Sequence, residues 1–171
     1  MNSELPVVHL RAIEPEDLDL LYRIENDVNL WNVGITNVPY SRYALHDYIA
    51  NASGDIYTDH QVRMIIENEK NEVVGIADIV NFDPGNRKAE IGLVIEQPFR
   101  GRGYGFSVMK ELEKYALDVL HLHQLYAVID ARNKTCLQLF RQLGYRESNS
   151  LKDWLFDGRE YHDAVMMQTF F

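Results

Sequence analysis

The chain has 171 residues, a single cysteine and a formal net charge of −9, from 17 Lys and Arg against 26 Asp and Glu. That length suits one domain with a substantial core, and a hydrophobic share of 46% marks a globular chain rather than a disordered one. The acid excess disfavours nucleic acid and is compatible with amine substrates, although on charge alone it signals only solubility; Cys136 alone rules out an internal disulfide, no apolar run would span a bilayer, and Met1–Glu14 lacks a secretory pattern, so no nucleic-acid partner, no membrane partner and a cytoplasmic setting are expected.

Val7–Ile13 reads as a first strand, and Pro15 suits the first turn of a helix running to about Glu25. Asn29–Tyr40 reads as irregular. Ser41–Ala52 follows as a second helix with Ser41 as its N-cap. Gln61–Glu67 and Glu72–Phe82 form a hairpin across Asn68–Asn71. The turn Asp83-Pro84-Gly85-Asn86 leads into the strand Lys88–Ile95. A helix opening near Gly103 carries Phe106, Val108, Met109, Leu112, Tyr115, Ala116, Val119 and Leu120 on one face. Gln124–Asp130 is a further strand. Asn133 caps a helix to about Leu143, with Gly144 at its end. Leu151–Phe156 and Glu160–Met167 flank Asp157-Gly158, a two-residue hairpin signal. With no repeat, linker or low-complexity tract, residues 1–171 read as one mixed α/β domain.

The most informative segment is Arg100-Gly101-Arg102-Gly103-Tyr104-Gly105, set between a strand and an amphipathic helix. Its glycines let a ligand approach the backbone closely, and the following helix turns free N–H groups and a positive dipole end toward it, an arrangement suited to a pyrophosphate. The dinucleotide fingerprint G-x-G-x-x-G fails because Phe106 stands where its third glycine belongs, and the P-loop spacing fails at the same residue. What remains is R-x-x-G-x-G, formed by Arg100, Gly103 and Gly105.

This resembles the coenzyme A signature Q/R-x-x-G-x-G/A of the GNAT superfamily of N-acetyltransferases. The element order extends the resemblance over nearly the whole chain, as do Ala89-Glu90-Ile91-Gly92, Asn133-Lys134 and Leu143-Gly144-Tyr145. Within the superfamily the chain looks most like the branch of spermidine and ribosomal-protein N-acetyltransferases, through His9-Leu10-Arg11, Leu122-His123-Gln124-Leu125-Tyr126 and Asp157-Gly158-Arg159-Glu160-Tyr161. The implied fold is a mixed, mostly antiparallel twisted sheet of about seven strands, splayed between its fourth and fifth, with about four flanking helices. A homo-oligomer, dimeric or larger, is implied by the same likeness.

The implied reaction is direct transfer of an acetyl group from acetyl-CoA to an amine, either a small polyamine or the N-terminus of a peptide. The resemblance assigns the pantetheine arm to the backbone of Leu93, Val94 and Ile95. It assigns the pyrophosphate to the amides from Arg100 through Gly101, Arg102, Gly103, Tyr104 and Gly105 to Phe106. Arg100 and Arg102 offer guanidinium groups suited to phosphate oxygens, or else an exposed turn. Asn133 reaches the pantetheine, acts as an N-cap, or does both, and Cys136 lies one turn further along, near the coenzyme sulfur. Glu90 is the candidate base for an amine that arrives protonated, its own pKa being about 10, or the contact for that cation. Glu25, Asp27 and Asp153 are candidate carboxylates for the acceptor, or else solvated surface charges. Trp31, Tyr40, Tyr43 and Trp154 are read as core packing, as walls of a groove or as rings that hold a cation by the π-face. No metal ligand set is apparent among the six histidines.

One position departs from the family pattern. A tyrosine that protonates the leaving thiolate is common in this branch, and the matching residue here is Phe140. Water, Cys136, Tyr145 or Tyr126 remain as proton sources, and a non-catalytic coenzyme A-binding domain remains the rival from another class.

Overall fold

The computed structural model describes residues 4–28 and 38–171. One sheet of seven strands runs through it in the order β1-β2-β3-β4-β5-β7-β6. The strands are β1 (Val8–Ala12), β2 (Val62–Asn68), β3 (Val73–Asp83), β4 (Lys88–Ile95), β5 (Gln124–Asp130), β6 (Arg146–Phe156) and β7 (Tyr161–Phe170). Every neighbouring pair is antiparallel except β4 and β5, which run parallel. The helix α4 (Tyr104–Asp118) makes the crossover between those two, the connection a parallel pair requires.

Helices cover both faces. On one side Val108, Met109, Leu112 and Ala116 of α4, with Leu137 and Phe140 of α5 (Lys134–Gln142), meet Ala77, Ile79, Ala89, Ile91 and Leu125 in the main core. On the other, Leu20 and Ile24 of α1 (Leu18–Glu25) pack on Ile65 and Ile76, with Val94 against them. The period-two alternation of β4 therefore sends Ala89, Ile91, Leu93 and Ile95 to the α4 face and Glu90, Gly92 and Val94 to the α1 face. Among the described residues no helix is long and apolar enough to cross a membrane.

The elements match the sequence-based expectations closely at β4, β5 and α5. Ser41 caps α2 (Arg42–Asn51) by accepting from the Ala44 amide. The segment at Pro15 begins differently: Pro15–Asp17 is a 3₁₀ turn closed by a capping box between Glu14 and Asp17, and only then does α1 begin. A one-turn helix, α3 (Ile56–Asp59), was not legible in the sequence; Asp55 caps it and Ile56 is its buried anchor. β6 starts five residues earlier than its apolar pattern suggests, because Arg146–Ser150 lies exposed at the edge of the sheet and needs no inward hydrophobes. The β6–β7 turn is also one place off. Asp157 N donates to Glu160 O, so the two central residues are Gly158 and Arg159, and the Asp157 carboxylate accepts from both Arg159 and Glu160 amides. Most of the irregular stretch Asn29–Tyr40, with Trp31, lies outside the described residues.

Candidate active site

The site begins where β4 and β5 part. Their parallel pairing holds only from Lys88↔Gln124 through Ala89↔Leu125 to Glu90↔Tyr126. Beyond that point β5 continues along β7 as far as Asp130↔Ala164, while β4 continues along β3 as far as Ile95↔Gly75. The cleft side of β4 from Ile91 to Ile95 thus has no strand paired to it among the described residues. Open backbone donors and acceptors of this kind accept an extended ligand as an added strand. Leu93, Val94 and Ile95 occupy this edge.

The glycine run lies at its far end. A 3₁₀ turn, Gln97–Phe99, follows β4, and Gly101 and Gly103 then adopt φ of +72° and +86°. Gly103 is the N-cap of α4, so the N–H groups of Tyr104, Gly105 and Phe106 in its first turn have no carbonyl inside the helix to bond. The three glycines act differently. A Cβ on Gly101 would meet nothing within 4 Å, one on Gly103 would lie 3.2 Å from Pro6 Cδ, and one on Gly105 would lie 3.1 Å from Leu139 Cδ2 and 3.7 Å from Leu93 Cδ2. Gly105 therefore serves the packing of α4 against α5 and β4, whereas Gly101 and Gly103 supply the left-handed turns. These features fit the diphosphate and extended arm of acetyl-CoA, and the chemistry that group brings is a thioester carbonyl open to an amine.

The side chains of the run are more committed than the sequence suggests. Arg100 Nε donates to Ile95 O at 2.8 Å, closing the turn. Tyr104 stacks edge-on against Phe99, with its hydroxyl near Asn68 Nδ2, leaving its backbone amide as the group available to a ligand. Arg102 is exposed and borders a shallow recess with Lys70, Glu72 and Tyr104. Phe106 packs on the main core, with Lys110 Nζ over its ring.

Across the cleft, Asn133 caps α5 by accepting from the Cys136 amide at 3.1 Å. Cys136 is half-buried, and burial pushes its thiol up to about 11. Phe140 is buried in the main core, its ring 4.8 Å from that of Tyr145 in an edge-on contact. Tyr145 is buried too; burial and the nearby Glu113 carboxylate raise its hydroxyl well above the usual range. Neither is a ready proton donor.

Glu90 sits half-buried at the apex of the cleft, opposite Tyr126. Its Oε2 accepts from Asn81 Nδ2 at 2.7 Å. Burial and then the Glu90 charge raise the Tyr126 phenol, against the opposing effect of a hydrogen bond with Asn81. Further along the same face, Arg63 of β2 donates from Nε and Nη2 to the two carboxylate oxygens of Asp78, at 2.7 and 2.9 Å, and from Nη1 to Glu25. Burial disfavours the Arg63 charge, but the bonds to Asp78 and the charges of Asp78 and Glu25 outweigh it and raise its pKa.

Glu25 is therefore part of an ionic bridge tying α1 to the sheet, and Asp27 lies half-buried just past that helix. Asp153 is not gathered with them. It lies in β6 with β7 and β5 between it and β4, in a left-handed conformation of φ +50°, its amide donating to Asp163. Tyr43 and Trp154 are 80% and 59% exposed, which overturns a core-packing role for either. Asp157, Glu160 and His162 bring their ligand-type atoms within 4.8 Å of one another at the β6–β7 turn, with His162 Nε2 2.6 Å from Asp157 Oδ2.

Asn81, Arg63, Asp78 and Gly75 were not legible as site residues. Only Gly75 left a signal, a glycine inside an apolar strand, which often marks close backbone approach.

A family model described as the acetyltransferase (GNAT) domain matches residues 8–146. The chain belongs to the GNAT acetyltransferase family. It is an acetyl-CoA-dependent N-acetyltransferase. Among curated relatives of this GNAT protein, spermidine N(1)-acetyltransferase of Escherichia coli strain K12 is 25% identical over 168 residues, spanning 95% of this chain and 86% of that one. A putative ribosomal N-acetyltransferase of Bacillus subtilis is 30% identical over 91 residues, 53% of this chain and 50% of that one. Spermidine N-acetyltransferase from Vibrio cholerae in complex with CoA and spermine has the same fold, with a TM-score of 0.86 at 22% identity and 95% of each chain covered. A dodecameric structure of that enzyme gives 0.79 at 23%, covering 95% of this chain and 93% of that one.

Proposed function

We propose that this GNAT enzyme acetylates a small polyamine of the spermidine class by direct attack within a ternary complex, and that it works in the cytoplasm as a homo-oligomer. The observation that carries the reading is the position of Glu90: a half-buried carboxylate on the strand edge assigned to the pantetheine, at the point where the cleft opens. The spermidine acetyltransferases among its relatives support the acceptor class. So does the acidic balance of the chain. The dodecameric neighbour supports assembly, and the long exposed edge strand β6, with Trp154 and Phe156 in solvent, offers a surface for it.

In this reading Leu93, Val94 and Ile95 hold the pantetheine by main-chain hydrogen bonds, while the amides of Gly101 to Phe106 hold the pyrophosphate. Arg100 acts chiefly by fixing the loop. Glu90, directly or through one water, takes a proton from the substrate ammonium, freeing its lone pair to attack the thioester carbonyl. The C–N bond forms as the C–S bond breaks, the new amide nitrogen gives up its second proton to solvent, and solvent protonates the departing thiolate, since Phe140 has no proton to give. Asn133 orients the arm at the start of α5. Asp27 and Glu25 border the acceptor side, with Glu25 held by Arg63. Asp153 lies at the β6 edge, where it meets a long acceptor or a neighbouring subunit rather than the reacting nitrogen.

Thiol release from acetyl-CoA should be measured across spermidine, spermine, amino acids, aminoglycosides and basic N-terminal peptides. Turnover concentrated on spermidine and spermine supports the polyamine reading. Turnover confined to peptides transfers the site to protein N-termini, the reading favoured by the Bacillus subtilis relative. A chain that binds CoA and turns over none of these overturns both.

A further inference from the structure

Three strands each send one polar side chain to the apex of the cleft: Asn81 from β3, Glu90 from β4 and Tyr126 from β5. The placement of Asn81 is unusual. Val80 is the cross-strand partner of Glu90, and pairing between β3 and β4 is then interrupted until Asp83↔Lys88. In an unbroken strand the residue after Val80 would project to the opposite face from Glu90. Instead, Asn81 has a left-handed φ of +49°, and this irregularity turns its carboxamide back to Glu90, with Nδ2 2.7 Å from Oε2. Irregularities of this type re-aim side chains beside active sites. Asparagine is among the few non-glycine residues that tolerate the left-handed region.

We infer that Asn81 is a positioning residue for Glu90: its carboxamide fixes one carboxylate oxygen, so that the other, Oε1, faces the arriving amine. The inference rests on the proposed role of Glu90 as the proton acceptor. It assigns Asn81 no direct contact with the acceptor. A carboxylate free to rotate would still attract a cation but would hold the proton-accepting geometry for a smaller fraction of encounters. The signature of such a role is slower turnover with little change in the KM of either substrate.

Two substitutions separate the carboxamide from the backbone. Asn81→Asp keeps the size and the tolerance for positive φ but replaces the N–H donor with a second carboxylate. Asn81→Gly keeps the backbone conformation and removes the side chain. Each is made in the full chain, alone and together with Glu90→Gln, and turnover, both KM values and Tm are measured with the best amine of the panel. The expected result is turnover slowed by about 10- to 100-fold in each single variant, an acetyl-CoA KM and Tm near wild type, and less than about a 2-fold further change when Glu90 is already Gln. Full activity of both Asn81 variants beside an impaired Glu90→Gln overturns the inference and leaves the Glu90 reading standing. Equal losses in both backgrounds also overturn it, because Asn81 then acts through the fold rather than through Glu90. A fully active Glu90→Gln, or a wild-type chain inert on every amine, removes the Glu90 reading and this inference with it.

Discussion

Gly75 of β3 lies so close to Val94 of β4 that a Cβ added to the glycine would sit 2.0 Å from the Val94 carbonyl oxygen. The same atom would be 3.1 Å from Ile95 Cα. Both obstacles are backbone, so no side-chain rotation relieves them, and β4 itself would have to move. Val94 and Ile95 belong to the open edge that the proposed mechanism gives to the pantetheine, so on that proposal a packing detail in the neighbouring strand bears on cofactor binding. Gly75→Ala is expected to cost about 1–3 kcal/mol through overpacking, lowering Tm by several degrees for a domain of this size. It should also raise the KM for acetyl-CoA more than the KM for the amine. Thermal unfolding with two-substrate kinetics checks this; an unchanged acetyl-CoA KM beside a lowered Tm would detach Val94 and Ile95 from the cofactor.

Asp17 anchors the other face of the sheet. Its carboxylate accepts from Arg11 Nη1 and Nη2 at 2.8 and 3.0 Å and from the Glu14 amide at 2.8 Å. Burial opposes its ionisation, but the Arg11 and Glu14 bonds prevail and hold its carboxyl below the usual carboxylate range. A carboxyl whose pKa is lower folded than unfolded contributes stability that is present above the unfolded value, about 3.9, and is lost as pH falls through the folded one. Urea denaturation from pH 7 to pH 3 should therefore show stability falling at the acid end, and Asp17→Asn should be less stable by about 2 kcal/mol at pH 7 with a shallower acid slope. An Asp17→Asn slope equal to that of wild type would place the acid sensitivity elsewhere.

What is legible in the sequence depends on where each residue finds its partners. β4 and β5 were legible to the residue because each carries apolar residues at alternate positions that turn to the core, and Asn133 because capping is local. The glycine run was legible as a loop, although Gly105 proved to be a packing residue and Arg100 a closure of the turn. The bond of Glu25 was not legible, because its partner, Arg63, lies 38 residues away on β2. Asn81 could not be read at all. Its meaning depends on the interrupted register between Val80 and Asp83, which no local pattern marks.

Phe140 tests whether this enzyme needs the tyrosine acid common in its branch. The ring is only 3% exposed and is held edge-on by Tyr145. Adding a hydroxyl there buries a polar group in an apolar site, at a cost of about 1–3 kcal/mol. Phe140→Tyr is therefore expected to lower Tm without speeding turnover, and a solvent-protonated thiolate predicts a rate within about 3-fold of wild type. Turnover faster by about 10-fold or more, the scale of an added general acid, would show that the position still addresses the leaving sulfur.

Cys136 gives an independent check on the cleft-facing start of α5. Its thiol is half-buried and raised to about 11 by burial. A free cysteine has a pKa of about 8.5, so near neutral pH Cys136 carries roughly 300-fold less thiolate than an exposed cysteine, before any steric barrier is counted. Alkylation by iodoacetamide at about pH 7.5 should be slower than that of a model thiol by at least about 100-fold, and Cys136→Ser should keep acetyl transfer, since the Asn133 bond is made to the backbone amide rather than to the thiol. Rapid alkylation that abolishes turnover and is blocked by CoA would contradict a passive role and make this thiol the leading source of the proton that Phe140 cannot supply.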